Sequence, residues 1–277
     1  MDIFADAAQR IIIAAHRGEA GGNVPPNTMA SYEAAARHGA DMIEVDLNYS
    51  REGTLWILHP GMEKAHLNYE GSIRELSDEE IKQLRYVNYD DTPTQFGLCT
   101  FEEVLARFKG KCYLNTDKFW ENPRAISDMI KAWDMTDQTV VKSAPRRELF
   151  DIMEEYAPDV AYLPILGETD GGIHEELKKR RINYVGAEVC FASENCETGS
   201  AEYAERLHRD GKLVWANAII YNCKKQLSAG HSDDAAFTEG PEYAWGWLAD
   251  RGYDIIQTDR TLALSLFLEQ TGRRRKK

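Results

Sequence analysis

Residues 41–50 read DMIEVDLNYS, and this stretch decides the fold. Met42, Ile43, Val45 and Leu47 form a nearly continuous apolar run, the signature of a strand covered on both faces. Glu44 and Asp46 interrupt it two residues apart, so both carboxylates point the same way. Further strand-like runs are spread along the chain. Upstream, 11–15 ends at His16. Downstream lie 55–59 (after a turn around Gly53), 111–115, 139–141, 160–163, 183–188, 212–215 and 254–257. If 55–59 prolongs the second strand through a hairpin, eight strand positions remain.

Helical periodicity fills the gaps between them. The Ala-rich stretch 29–38 ends at Gly39, a helix-terminating glycine. Thr100 precedes Glu102 and Glu103 as a cap precedes an acidic first turn. Helices are also expected over about 123–134, 145–156, 172–181, 199–210, 241–252 and 260–270. Strands alternating with helices imply βαβ units and a parallel sheet. Eight such units in 277 residues predict an α/β fold, a single (β/α)₈ TIM barrel covering 1–277. No Gly-rich dinucleotide-binding turn follows the first strand. Two segments, 60–99 and 217–240, exceed what a plain βα unit needs, and long loops at strand C-termini shape barrel pockets.

The net charge of −13 argues against nucleic acid or an anionic membrane as a general partner. An acidic chain that handles an anionic substrate needs a bound cation or well-placed Arg and Lys. The basic run 273–277 reads as a solvated tail. Five cysteines without CxxC spacing predict no disulfide framework, and Cys112 and Cys190 read as small core residues. The N-terminus lacks the pattern of a signal peptide and no window approaches a membrane span, so a cytoplasmic protein without stable membrane insertion is expected.

Glu44 and Asp46, aimed together into the barrel mouth, suit a hard divalent cation such as Mg²⁺ or Ca²⁺. Asp117, alternating onto one face with Asn115, is a third candidate ligand. His16 closes the first strand beside Arg17, whose guanidinium fork matches phosphate oxygens. His59 closes the short strand after the turn. Two histidines and two carboxylates at strand ends fit acid–base catalysis beside a metal. Lys142, Glu188 and Trp215 end later strands and are expected to face the mouth. His66, His174 and His208 read as surface residues, and His231 as part of a polar loop. Tyr221, Trp245 and Trp247 read either as an aromatic wall for a cationic substituent or as ordinary packing.

These residues form a pattern that resembles the glycerophosphodiester phosphodiesterases. The matching segments are His16-Arg17-Gly18, Pro25-Pro26-Asn27-Thr28, Gly39-Ala40-Asp41, Glu44-Val45-Asp46, His59, and Gly252 through Thr258-Asp259-Arg260. They span roughly residues 10–268. The resemblance implies His16 and His59 as the acid–base pair, and Glu44, Asp46 and Asp117 as metal ligands. Arg17, Asn27 and Lys118 would lie on the phosphate side, with Lys142 in reserve. It also implies a small glycerophosphodiester as substrate, cleaved to glycerol phosphate and an alcohol; a homodimer is compatible with it. Three departures stand out. Pro26 replaces the family's Glu, Pro60 replaces an Asp, and Phe119 occupies the usual lysine position while Lys118 sits one residue early. Strand alternation turns Lys118 away unless the strand ends at Asp117. The rival readings are a related phospholipase or sphingomyelinase-D-like phosphodiesterase, and a barrel that binds phosphodiesters without cleaving them.

Overall fold

A computed structural model of the chain describes residues 1–220 and 226–275. Eight parallel strands close into a barrel: β1 (Ile12–Ala15), β2 (Met42–Tyr49), β4 (Tyr113–Asp117), β5 (Thr139–Ser143), β6 (Ala161–Leu166), β7 (Gly186–Val189), β8 (Leu213–Asn217) and β9 (Ile255–Thr258). Pairing of β1 with both β2 and β9 completes the closure. β3 (Leu55–Ile57) lies outside the barrel, antiparallel to the last residues of β2, with Leu47 opposite Ile57 and Tyr49 opposite Leu55. The sheet is therefore the expected (β/α)₈ barrel with a hairpin extension of its second strand.

Alternate side chains fill the barrel interior. Ile12, Ala14, Met42, Tyr113, Val140, Leu163, Leu213, Trp215 and Ile255 form one buried cluster there. Ile3 and Ala7 join it from a helix at Ile3–Gln9, which plugs the end of the barrel opposite the strand C-termini. Gly186 allows a close approach of β7 and β8, since a Cβ there would lie 2.1 Å from the Leu213 carbonyl oxygen. The outward faces of the strands pack beneath helices that include Met29–Arg37, Phe101–Phe108, Arg147–Tyr156, Ala201–Arg209 and Thr261–Gln270. Thr100 caps its helix reciprocally with Glu103. None of the helices is long and apolar enough to cross a membrane, among the described residues.

In the insertion 60–99, Leu67, Ile73, Ile81 and Tyr86 pack with Trp56 of β3 and Leu58 just after it into a small separate core. Two sequence expectations need correction here. Arg273 and Arg274 are not a solvated tail: Arg273 pairs with Asp250 at 2.8 Å and Glu242 at 2.9 Å, and Arg274 reaches Asp41 at 2.6 Å. Asp41 also accepts from Arg10 and the Ile13 N–H, so one partly buried carboxylate ties the two ends of the chain together. Lys276 and Lys277 lie outside the described residues. His174, expected at the surface, is fully buried, held by the Tyr184 hydroxyl and Asp210.

Candidate active site

The strand register brings the acids together. β2 and β4 align so that Asp46 lies beside Asp117 and Glu44 beside Asn115. Both strands end at the same rim of the barrel, and His16 emerges from β1 next to them, its N–H donating to the Thr258 carbonyl. The cavity at this rim has a volume of about 220 Å³. Its wall includes His16, Arg17, Glu44, His59, Asp117, Lys118, Lys142 and Glu188.

Left-handed turns aim several of these groups. Arg17 has φ 56°, Asn27 58° and Lys118 63°, three of seven described non-glycine residues with positive φ. Such backbone is disfavoured for L-residues and gathers at functional sites. At Arg17 the turn carries Nε to within 2.8 Å of the Asp46 carboxylate. Gly18 follows at φ 84°, where a Cβ would lie 2.6 Å from the Ser31 hydroxyl. At Lys118 the turn undoes the strand alternation: β4 stops at Asp117, and Lys118 Nζ swings back to 2.5 Å from the Asp117 carboxylate. The displaced lysine is thus returned to the cavity.

The two histidines sit in contrasting surroundings. His16 has Nδ1 2.8 Å from Asp259 Oδ1 and Nε2 3.8 Å from Glu44 Oε2. Burial opposes its charged form, but Glu44 and Asp259 outweigh burial and raise its pKa above the usual value. His59 donates through Nδ1 to the Pro60 carbonyl at 2.8 Å, leaving Nε2 as the lone-pair nitrogen. Burial lowers its pKa, and Lys118 and Arg17 push the same way against Asp46. Asp46 is fully buried; desolvation and then Glu44 push its carboxyl up to about 6. Burial would raise Asp117 too, but the Lys118 ammonium prevails and holds it low.

Asn27 and Trp215 take other places than expected. Asn27 is buried behind Asp46: its Nδ2 donates to Asp46 Oδ2 at 2.8 Å, and its Oδ1 accepts from the Tyr32 hydroxyl at 2.8 Å. It shapes the carboxylate rather than the cavity wall. Trp215 lies inside the barrel core with Lys142 Nζ 4.0 Å above its ring. β8 runs two residues past the expected end, so Asn217 takes the cavity position instead. Lys142 pairs with Glu188 at 2.6 Å, and Glu188 also accepts from Asn217 at 2.7 Å.

Oxygens of Asp46 and Asp117 and a ring nitrogen of His59 lie within 4.8 Å of one another, an arrangement able to hold a metal ion. Glu44, expected in that set, instead accepts from the Arg17 N–H at 3.1 Å on the His16 side. Asp46 Oδ1 is buried with no hydrogen-bond partner, as an acceptor reserved for a cation would be. These oxygen donors fit a hard divalent ion.

Several cavity residues were not picked out from the sequence: Trp120, Asn217, Gln257 and, as the partner of His16, Asp259. Asp259 belongs to the C-terminal Thr258-Asp259-Arg260 motif, the signal that marks it. Cys190 borders the cavity rather than the core. Trp245 and Trp247 pack internally, Trp245 donating to Asp233 and Trp247 stacked 3.9 Å from the ring of His231, which lies in a loop as expected but is buried there. Tyr221, the third residue of the suggested aromatic wall, lies outside the described residues.

Comparison with known proteins agrees with the resemblance read from the motifs. A glycerophosphodiester phosphodiesterase of Caldanaerobacter subterraneus is 37% identical over 75 residues, 27% of this chain and 30% of the relative. One of Bacillus subtilis is 36% identical over 108 residues, 36% of each chain. The chain thus matches about a third of the length of these relatives. A family described as a domain of unknown function matches residues 162–268. Among solved structures, a glycerophosphoryl diester phosphodiesterase of Parabacteroides distasonis superposes with a TM-score of 0.79 at 16% identity, covering 98% of this chain and 93% of that one. A phosphodiesterase of Oleispira antarctica, solved with the product sn-glycerol-3-phosphate, gives 0.69 at 18% identity, covering 97% and 100%. At these identities the structural likeness speaks for the barrel. Several of the curated relatives and structural neighbours carry the name glycerophosphodiester phosphodiesterase.

Proposed function

We propose that this protein hydrolyses glycerophosphodiesters to glycerol phosphate and an alcohol, with His16 and His59 as the acid–base pair. The observation that carries the reading is the convergence of two differently tuned histidines, Arg17, Lys118 and a carboxylate cluster on one cavity. Asp46 and Asp117 would hold a divalent cation, Mg²⁺ or Ca²⁺, with Glu44 next to them on β2. When bound, the cation would neutralise the diester and stabilise charge growing on its oxygens.

The chain's own groups supply the rest. Arg17 and Lys118 offer N–H donors to the non-bridging phosphate oxygens. His59, neutral with Nε2 unprotonated, accepts the proton of the attacking hydroxyl as its oxygen bonds to phosphorus. His16, held charged by Glu44 and Asp259, donates its proton to the departing alkoxide as the phosphorus–oxygen bond breaks. The attacking hydroxyl belongs to water or to the glycerol itself; in the latter route the alcohol leaves, a cyclic phosphate forms, and water then opens its ring to glycerol phosphate, with the protons passing between the same two histidines. Substrates are small diesters taken from solution in the cytoplasm.

The deciding measurement is turnover of glycerophosphocholine by wild type and His16→Ala, with and without EDTA. We expect loss of activity in the variant and on chelation, with recovery when Mg²⁺ or Ca²⁺ is restored. Activity that survives both treatments rules the mechanism out.

A further inference from the structure

The cavity at the barrel rim does not end at His16 and Arg17. These two residues also border a neighbouring hollow of about 250 Å³, together with Ala20, Pro26, Asp259 and Arg260. Ala20, Pro26 and Arg260 in turn border a third hollow of about 340 Å³. Sharing these residues, the three hollows adjoin in series as an arm of the rim. It runs from the catalytic histidines, past Arg260, into a recess between the loop after β1 and residues 86–89 of the insertion.

The chemistry of the far recess is distinctive for so acidic a chain. No carboxylate lines it, and Arg260 is its single charged side chain. Asp90 and Asp91 lie in the adjoining loop but not on its wall. His66, which also borders it, is held neutral, its pKa pushed down to about 4 by burial and then by Arg17 and His59. Arg260 is exposed and forms no ion pair among the described residues; its guanidinium sits 5.6 Å from the ring of Phe237. Tyr86 is fully buried and its hydroxyl donates to Asn27 and Ile57 carbonyls, so the exposed ring of Tyr89 stands alone on the wall and does not make an aromatic cage for a quaternary ammonium.

We infer that this arm receives the alcohol substituent of the diester, and that Arg260 makes it select alcohols bearing a carboxylate or phosphate. The inference rests on the phosphodiesterase reading above and names its substrate class. An anionic group in the recess meets the Arg260 guanidinium without displacing an ion-pair partner among the described residues, whereas a choline-like cation meets Arg260 with no carboxylate on the recess wall, Asp259 bordering only the hollow before it.

The test compares kcat/KM for glycerophosphodiesters of 4-hydroxybutyrate, butanol and choline, using the full chain with Mg²⁺. Wild type is expected to favour the hydroxybutyrate diester over the butyl diester by about fivefold, the upper range for a solvent-accessible ion pair, chiefly through KM. Choline should be the poorest of the three. Arg260→Gln should bring the hydroxybutyrate-to-butyl ratio to about one, and Arg260→Glu should invert the order in favour of choline. An Arg260→Gln variant that slows all three diesters equally overturns the inference, as does a wild type blind to alcohol charge. Failure to cleave any of the three removes the phosphodiesterase reading itself, whereas cleavage of all three without preference removes only the subsite.

Discussion

Replacing Asn27 with alanine removes a residue that never reaches the cavity yet fixes its most buried acid. Asn27 donates to Asp46 Oδ2 and accepts from the Tyr32 hydroxyl, both at 2.8 Å, and all three side chains are fully buried. A hydrogen bond to a charged acceptor contributes about 1.5–3 kcal/mol and a neutral one about 1 kcal/mol. The φ of 58° adds to this, because asparagine tolerates the left-handed region and alanine loses about 1 kcal/mol there. Arg17 still supports Asp46 Oδ2 at 2.8 Å, which limits the loss at that end. The sum is about 4 kcal/mol. With a urea m-value of about 3 kcal/mol/M for a chain of this size, the midpoint should fall by roughly 1.3 M. Urea unfolding followed by tryptophan fluorescence measures it. Tyr32→Phe, which removes only the neutral bond, should fall by less than half as much. A midpoint shift below about 0.3 M for Asn27→Ala, at unchanged m-value, would refute the claim that this network is structural.

Asp259→Asn keeps a hydrogen-bond acceptor for His16 but removes the charge, so the imidazolium should titrate at lower pH and kcat should drop by about tenfold or more. NMR titration of His16 alongside the pH–rate profile checks this; an unmoved His16 titration contradicts it. Asp233 accepts from Trp245, Thr258 and the Asp259 N–H, and burial pushes its carboxyl up to about 6 despite those donors. A folded pKa above the unfolded one means its favourable contribution is complete below about 4 and fades as pH rises through 6, by about 3 kcal/mol. Asp233→Asn should therefore cost most near pH 4 and least near pH 7 in parallel urea titrations, and an opposite trend would show that the carboxylate is preferred in the fold. Gly186→Ala drives a Cβ to within 2.1 Å of the Leu213 carbonyl oxygen, so β7 and β8 must part. Thermal unfolding should reveal a loss of about 3 kcal/mol or more or a failure to fold, and a near-native melting temperature would mean that the barrel yields there.

Much of this protein is legible in its linear order. Apolar runs such as 42–47 can only be strands covered on both faces, and their alternation with helices leaves a closed barrel as the compact solution. Period-two alternation already puts Glu44 with Asp46, and the His16-Arg17-Gly18 motif marks the rim of the first strand. What alternation cannot supply is where a strand stops and how the chain turns afterwards. A β8 ending at Trp215 would put that residue at the mouth; two more residues of pairing with β9 put Asn217 at the rim and Trp215 in the core. Strand alternation alone turns Lys118 away, and the left-handed turn at Lys118 brings it back. Which acids meet depends on register between strands about 70 residues apart, and the pairing of Asp46 with Asp117 drew in His59 rather than Glu44. The partners of His16 came from opposite ends of the chain, Glu44 and Asp259, and only barrel closure makes them neighbours. Local sequence thus specifies the elements and the kind of chemistry they carry. The closed sheet decides which charges face each other, because those energies depend on through-space distance and burial, neither of which is written in residue order.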